Sequence, residues 1–299
     1  MTMPIQWAAA AAAAAAADNP VSLLERSFEF DRSVKAFSTE SSRAAASEAR
    51  RQFAQWFGDD YSDIKLAEQT DDDLQVLYDI AEHALFVTLD PGYIENARRA
   101  FEELQRRNAT NSVHLMRFYD MLAMARMFPE AQRFAQAHPE IEYRPLPGVR
   151  EENELPVGVP TVLKIDADAP GLVRVAVDDP MKIVAIVHPQ CGFALQALGE
   201  IERDPLLASV FADALWITPP SDLRDFEQVR QWNHDHPASQ MTMMYRPEEW
   251  PEIDQWGMTP AFYFFRDGKL VGVFSAWPDE NGHDKLVAAL REAGLMENR

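Results

Sequence analysis

The stretch Ile183-Val184-Ala185-Ile186-Val187-His188-Pro189-Gln190-Cys191-Gly192-Phe193-Ala194 decides how this chain is read. Five consecutive apolar residues predict a strand, His188-Pro189-Gln190 ends it, and a helix is predicted from Phe193 to about Glu202. Cys191 is the only cysteine in 299 residues, and it stands where strand gives way to helix. A helix N-terminus presents unpaired N–H groups and the positive end of the macrodipole. A thiol placed there is stabilised as thiolate, the form that attacks disulfides and peroxides.

Downstream, Met258-Thr259-Pro260 precedes the run Ala261-Phe262-Tyr263-Phe264-Phe265, which ends at Arg266-Asp267-Gly268-Lys269 and resumes as Leu270-Val271-Gly272-Val273-Phe274. This spacing predicts two strands joined by a tight turn around Asp267-Gly268. Upstream, Thr161–Ile165 and Leu172–Val177 predict a hairpin across residues 166–171 that leads into the cysteine strand. Between the two regions, Asp204-Pro205 caps a short helix, Ala214–Thr218 predicts a strand, Leu223–His234 a helix, and Met241–Tyr245 a short strand.

Strand, cysteine, helix, then Thr-Pro, hairpin and a last helix: over roughly residues 155 to 295 this order resembles the thioredoxin-like fold. The resemblance implies an α/β thioredoxin-like C-terminal domain in which Pro260 is cis and faces Cys191, with the Thr259 backbone bordering the thiol. It also marks departures. Thioredoxins carry Cys-x-x-Cys, an aromatic residue just before the first cysteine and an acid six positions upstream of it. Here Cys191-Gly192-Phe193-Ala194 lacks the second cysteine, Gln190 replaces the aromatic residue and Ala185 the acid. The dithiol cycle is unavailable, which leaves monothiol exchange with a protein or small thiol, or no redox chemistry at all. A peroxiredoxin-like signature would need proline at 184 and a hydroxyl at 188, where the chain has Val184 and His188.

From about Leu23 to Pro139 the pattern is helical. Thr70-Asp71-Asp72-Asp73 supplies a cap and first-turn acids ahead of Leu74, Leu77, Ala81, Ala84 and Leu85 at helical spacing. Asp90-Pro91 opens a second helix carrying Ile94, Ala97, Phe101 and Leu104, and Thr110-Asn111-Ser112 a third with Leu115, Phe118, Met121 and Leu122. Glu130–Ala137 predicts a fourth. Short connections favour helix hairpins, weakly similar to the tetratricopeptide kind, though without a second copy at a fixed period. The domain reading is a possible signal segment over 1–19, an α-helical domain over 20–139, a Pro-rich linker over 140–156 and the thioredoxin-like domain over 157–299.

A net charge of −20 argues against nucleic acid or an anionic membrane as partner, since either demands a basic face. No run is long and apolar enough to span a bilayer. Met1–Ala17 carries no charge and ends in ten alanines. Read as a secretory signal, it places the protein in the periplasm or outside the cell; read as a plain alanine tract, it leaves the protein cytoplasmic.

The candidate catalytic residues are Cys191 and His188, the histidine either lowering the thiol's pKa or only capping the strand end. Thr259, Pro260, Pro189 and Gly192 are the candidate substrate-binding residues. No cofactor is implied, and His188 with Cys191 supplies too few ligands for a metal, His234 and His236 adding none at ligand spacing. Tyr245, Trp250 and Trp256 around Pro247 and Pro251 read either as an apolar patch for a partner or as an insertion packed on the sheet. Two functions stay open: a monothiol disulfide oxidoreductase acting through Cys191, or a degenerate thioredoxin-like and helical scaffold for protein–protein interaction.

Overall fold

The computed structural model describes residues 21–38, 41–151, 155–156, 158–165, 171–177, 181–219, 226–275, 277 and 281–297. The alanine-rich segment, the turn around Asp166 to Pro170 and the predicted helix start at Leu223 lie outside the described residues.

Among the described residues seven helices come first: α1 Leu23–Ser38, α2 Ser42–Trp56, α3 Asp63–Glu68, α4 Asp71–Thr88, α5 Gly92–Arg106, α6 Ser112–Met124 and α7 Phe128–Ala137. Their starts follow local chemistry. The Ser41 side chain accepts the Ala44 N–H, and that of Thr70 accepts the Asp73 N–H, with Asp71, Asp72 and Asp73 set against the positive end of α4. Pro129 sits in the first turn of α7, where its missing N–H costs nothing. α1 packs on α2, α4 on α5, α5 on α6 and α6 on α7, while the short α3 packs on α5, and Leu74, Leu77, Ala81, Ala97, Phe101 and Leu122 fill one core.

The start of α6 carries a pH dependence. Asn111 caps it, its N–H donating to His114 Nδ1 at 3.1 Å, while His114 Nε2 bonds the Gln75 side-chain oxygen. With Nδ1 accepting, the ring is neutral and both nitrogens are satisfied. Burial, and then the neighbouring Arg117 charge, hold its pKa below the usual histidine value, against a smaller opposing effect of Asp79. The unfolded chain therefore takes up the proton first. The stability His114 contributes is complete above about pH 6.5 and is lost as pH falls below it. His283, raised by Asp284 and Asp204, contributes with the opposite sign. The informative comparison is thus between His114→Gln and wild type. We expect urea midpoints to fall less between about pH 7 and pH 5 in the variant than in the wild type. Parallel pH profiles would contradict this.

The C-terminal half forms an eight-stranded mixed sheet from β1 Gly148–Glu151, β2 Thr161–Ile165, β3 Gly171–Ala176, β4 Ile183–Ile186, β5 Leu215–Thr218, β6 Met241–Met244, β7 Ala261–Arg266 and β8 Lys269–Phe274, in the order β1-β3-β2-β6-β5-β4-β7-β8. Helices α8 Gly192–Arg203, α9 Pro205–Val210, α10 Phe226–Asp235 and α11 Gly282–Glu292 cover one face, where Leu198, Leu207, Trp232 and Leu286 join Ile183, Ala185, Trp216 and Phe262 in a core. The other face holds Val184, Ile186, Ile217, Tyr263 and Phe265, and is closed by Trp250 and Ile253. The cysteine strand β4 is central and buried on both faces. It pairs in parallel with β5 and antiparallel with β7. Asp267 and Gly268 both adopt positive φ, 51° and 73°, the geometry of a two-residue hairpin turn.

The sheet adds two details. The β2–β3 hairpin precedes the cysteine strand in the chain but joins the sheet through β6, because β6 returns parallel to β5 and takes the adjacent place. The stretch read as a linker, 140–156, supplies β1. It tolerates the flanking prolines because it is an edge strand, bonded only to β3. Leu146 within it packs against both cores.

Candidate functional site

Cys191 is the N-cap of α8. Its N–H donates to the His188 carbonyl at 3.0 Å, and the Gln190 N–H donates to His188 Nδ1 at 3.1 Å. His188 thus closes its own turn with one ring nitrogen. The Cys191 thiol is half-buried, and Sγ donates to the Thr259 carbonyl oxygen at 3.3 Å. The Thr259–Pro260 bond is cis.

Cys191 lines a groove of about 530 Å³ between the helical and sheet regions. One wall is His188, Gln190, Cys191, Pro219, Trp256, Gly257 and Thr259; the other is Ser38, Ser42, Ala45, Phe86, Val87 and Leu89. This size suits a small molecule or a short peptide segment. Two apolar residues close in sequence to wall residues are exposed, Phe193 two positions after Cys191 and Met258 between Gly257 and Thr259. Of the sequence-derived candidates, Cys191, His188 and Thr259 come together in the groove. Pro260 is buried beneath it, Pro189 is half-buried, and Gly192 is exposed with open space where a side chain would be. Ala194, at the place of a second cysteine, is buried in the core under the sheet. Among the described residues, no group of three or more His, Cys, Asp or Glu is placed to hold a metal ion.

The helical wall is what sequence reading missed. Spacing gives no clue to Ser42, but Phe86 leaves one: it is apolar, 49% exposed, and off the Leu74–Leu85 stripe of α4. The aromatic residues near Pro247 and Pro251 are mostly packed: Trp250 and Trp256 are both buried. Trp250 packs on the sheet, while Trp256 lines the groove.

No family model matches this chain, and no curated protein matches it. Among solved structures, the chain is similar to a solution structure described as a "Putative Thioredoxin from Neisseria meningitidis", at 17% identity and a TM-score of 0.30, covering 45% of this chain and 90% of the other. The architecture of the C-terminal half rests on its own strand order and on the strand–cysteine–helix junction described above.

Proposed function

We propose that the protein is thioredoxin-like and acts as a single-thiol exchange protein, with Cys191 as the reacting group and the interdomain groove as the ligand site. The observation that carries this reading is the half-buried Cys191 on the wall of a groove of about 530 Å³. After losing its proton to solvent, Cys191 sulfur attacks one sulfur of a ligand disulfide. The ligand S–S bond breaks as the Cys191–ligand S–S bond forms, and the second ligand sulfur leaves as thiolate. With no other cysteine in the chain, an external thiol must attack the mixed disulfide to release the protein. The ligand is a protein or a small thiol compound. His188, with Nδ1 engaged by the Gln190 N–H, holds the turn that presents the sulfur.

The scaffold reading has one observation in its favour. The thiol already donates to the Thr259 carbonyl, an arrangement that suits a resting, protonated sulfur. The two readings separate on exposure to neutral dithiodipyridine, followed by intact-mass measurement. We expect one pyridylthio adduct on folded wild type, released by added thiol, and none on Cys191→Ser. An adduct that forms only after unfolding would favour the scaffold.

A further inference from the structure

The segment that presents Thr259 to the cysteine is held by the first turn of α2, from the other half of the chain. Ser42 Oγ accepts the N–H groups of Trp256 at 3.2 Å and Gly257 at 3.0 Å, and donates to the Gln255 side-chain oxygen. One hydroxyl thereby uses its single donor and both acceptor positions on three consecutive residues. The Arg43 N–H donates to the Asp254 carbonyl at 2.9 Å. Its guanidinium donates to the carbonyls of Trp250 at 2.8 Å and Ile253 at 2.7 Å, and lies 5.5 Å from the Trp256 ring centroid. A Cβ at Gly257 would lie 3.2 Å from Ser42 Oγ, so the approach is tight there. From the sheet side, Tyr263 OH accepts the Gln255 N–H at 3.0 Å, within donating distance of Asp254 Oδ1 at 3.0 Å and the Gln255 carbonyl at 3.1 Å. Gly257 is separated from Thr259 by Met258 alone.

We infer that Ser42 and Arg43 are positioning residues for the cysteine site: they hold residues 254–257 so that the Thr259 carbonyl stays within reach of Cys191 Sγ. The inference rests on the proposed role of Cys191 as the reacting thiol. It makes the helical half part of the reaction site rather than a separate docking module. The carbonyl bonds only the protonated thiol, because a thiolate has no proton to donate. Loosening the segment removes a partner of the protonated form and so favours the reactive one.

The test is the pH profile of iodoacetamide alkylation of Cys191 in Ser42→Ala, Ser42→Thr, Arg43→Gln and wild type, each confirmed folded by circular dichroism. For Ser42→Ala the profile should move to lower pH, with the rate on its acid limb rising about twofold to tenfold, the worth of one hydrogen bond. Ser42→Thr, which keeps the hydroxyl, should restore the wild-type profile. Arg43→Gln should shift it in the same direction as Ser42→Ala, and carries the test alone if Ser42→Ala does not fold. Unchanged profiles in folded variants would overturn the assignment. So would a rate raised equally at every pH, which would mean that Ser42 only narrows the groove. A wild type that alkylates normally yet takes no disulfide adduct would sink the exchange reading and leave the positioning assignment standing, because alkylation needs no disulfide.

Discussion

Replacing Arg126 with alanine should cost about 2–4 kcal/mol of stability and loosen the seam between the two halves of the chain. Arg126 follows α6 and is only 7% exposed. Its Nη2 donates to the Met244 carbonyl at 2.9 Å and its Nε to the Tyr245 carbonyl at 3.2 Å, at the end of β6. Charged donors are worth more than neutral ones, and truncation leaves the buried Met244 carbonyl and the part-buried Tyr245 carbonyl without this donor. Urea unfolding of Arg126→Ala against wild type measures the loss. Arg126→Lys should recover only part of it, since an ammonium lacks the planar fork that reaches two carbonyls at once. A loss under about 0.5 kcal/mol would show that the seam is held elsewhere.

Phe262→Ala should be costlier, at about 3–5 kcal/mol. Phe262 is fully buried on β7, directly opposite Ala185 of the cysteine strand. Its ring meets Phe211 edge-on at 5.5 Å and lies 6.3 Å from Phe274 and 6.5 Å from Trp216. Deleting it opens a cavity among three large rings that cannot collapse inward without leaving their own contacts. Val273→Ala on the neighbouring strand is the control. Val273 is 48% exposed, and its truncation should stay within about 0.5 kcal/mol. Equal losses at the two positions would contradict the packing described for this face.

The fold was legible where chemistry is local. Thr70, Asn111 and Asp204 announce helix starts by accepting the N–H groups that a helix leaves unpaired, and all three do so here. The Asp267-Gly268 pair announces its turn because two positive φ angles need such residues. The run Ala261–Phe265 reads as a strand, and its alternate residues divide between two cores, Phe262 and Phe264 on one face, Tyr263 and Phe265 on the other. Strand order was not legible. That β2 pairs with β6 is a contact between strands far apart in the chain, and local pattern carries no record of it.

The site was legible in part for the same reason. Cys191, His188 and Thr259 stand out because each lies at a junction the pattern marks, and all three line the groove. Ser42 and Arg43 precede Gln255 by more than two hundred positions, and their residue types are those of any helix start. Their role follows from side chain to backbone bonds across two regions, which no periodicity encodes.

The most direct test of the account is the rate at which Cys191 takes the pyridylthio group in the folded protein, compared with the chain unfolded in urea at the same pH. A folded rate at least comparable to the unfolded one is expected, since Cys191 lines the groove and caps α8. A folded rate lower by a factor of about a hundred or more, following the fraction of unfolded chain, would mean a sulfur reached only through unfolding and would contradict it.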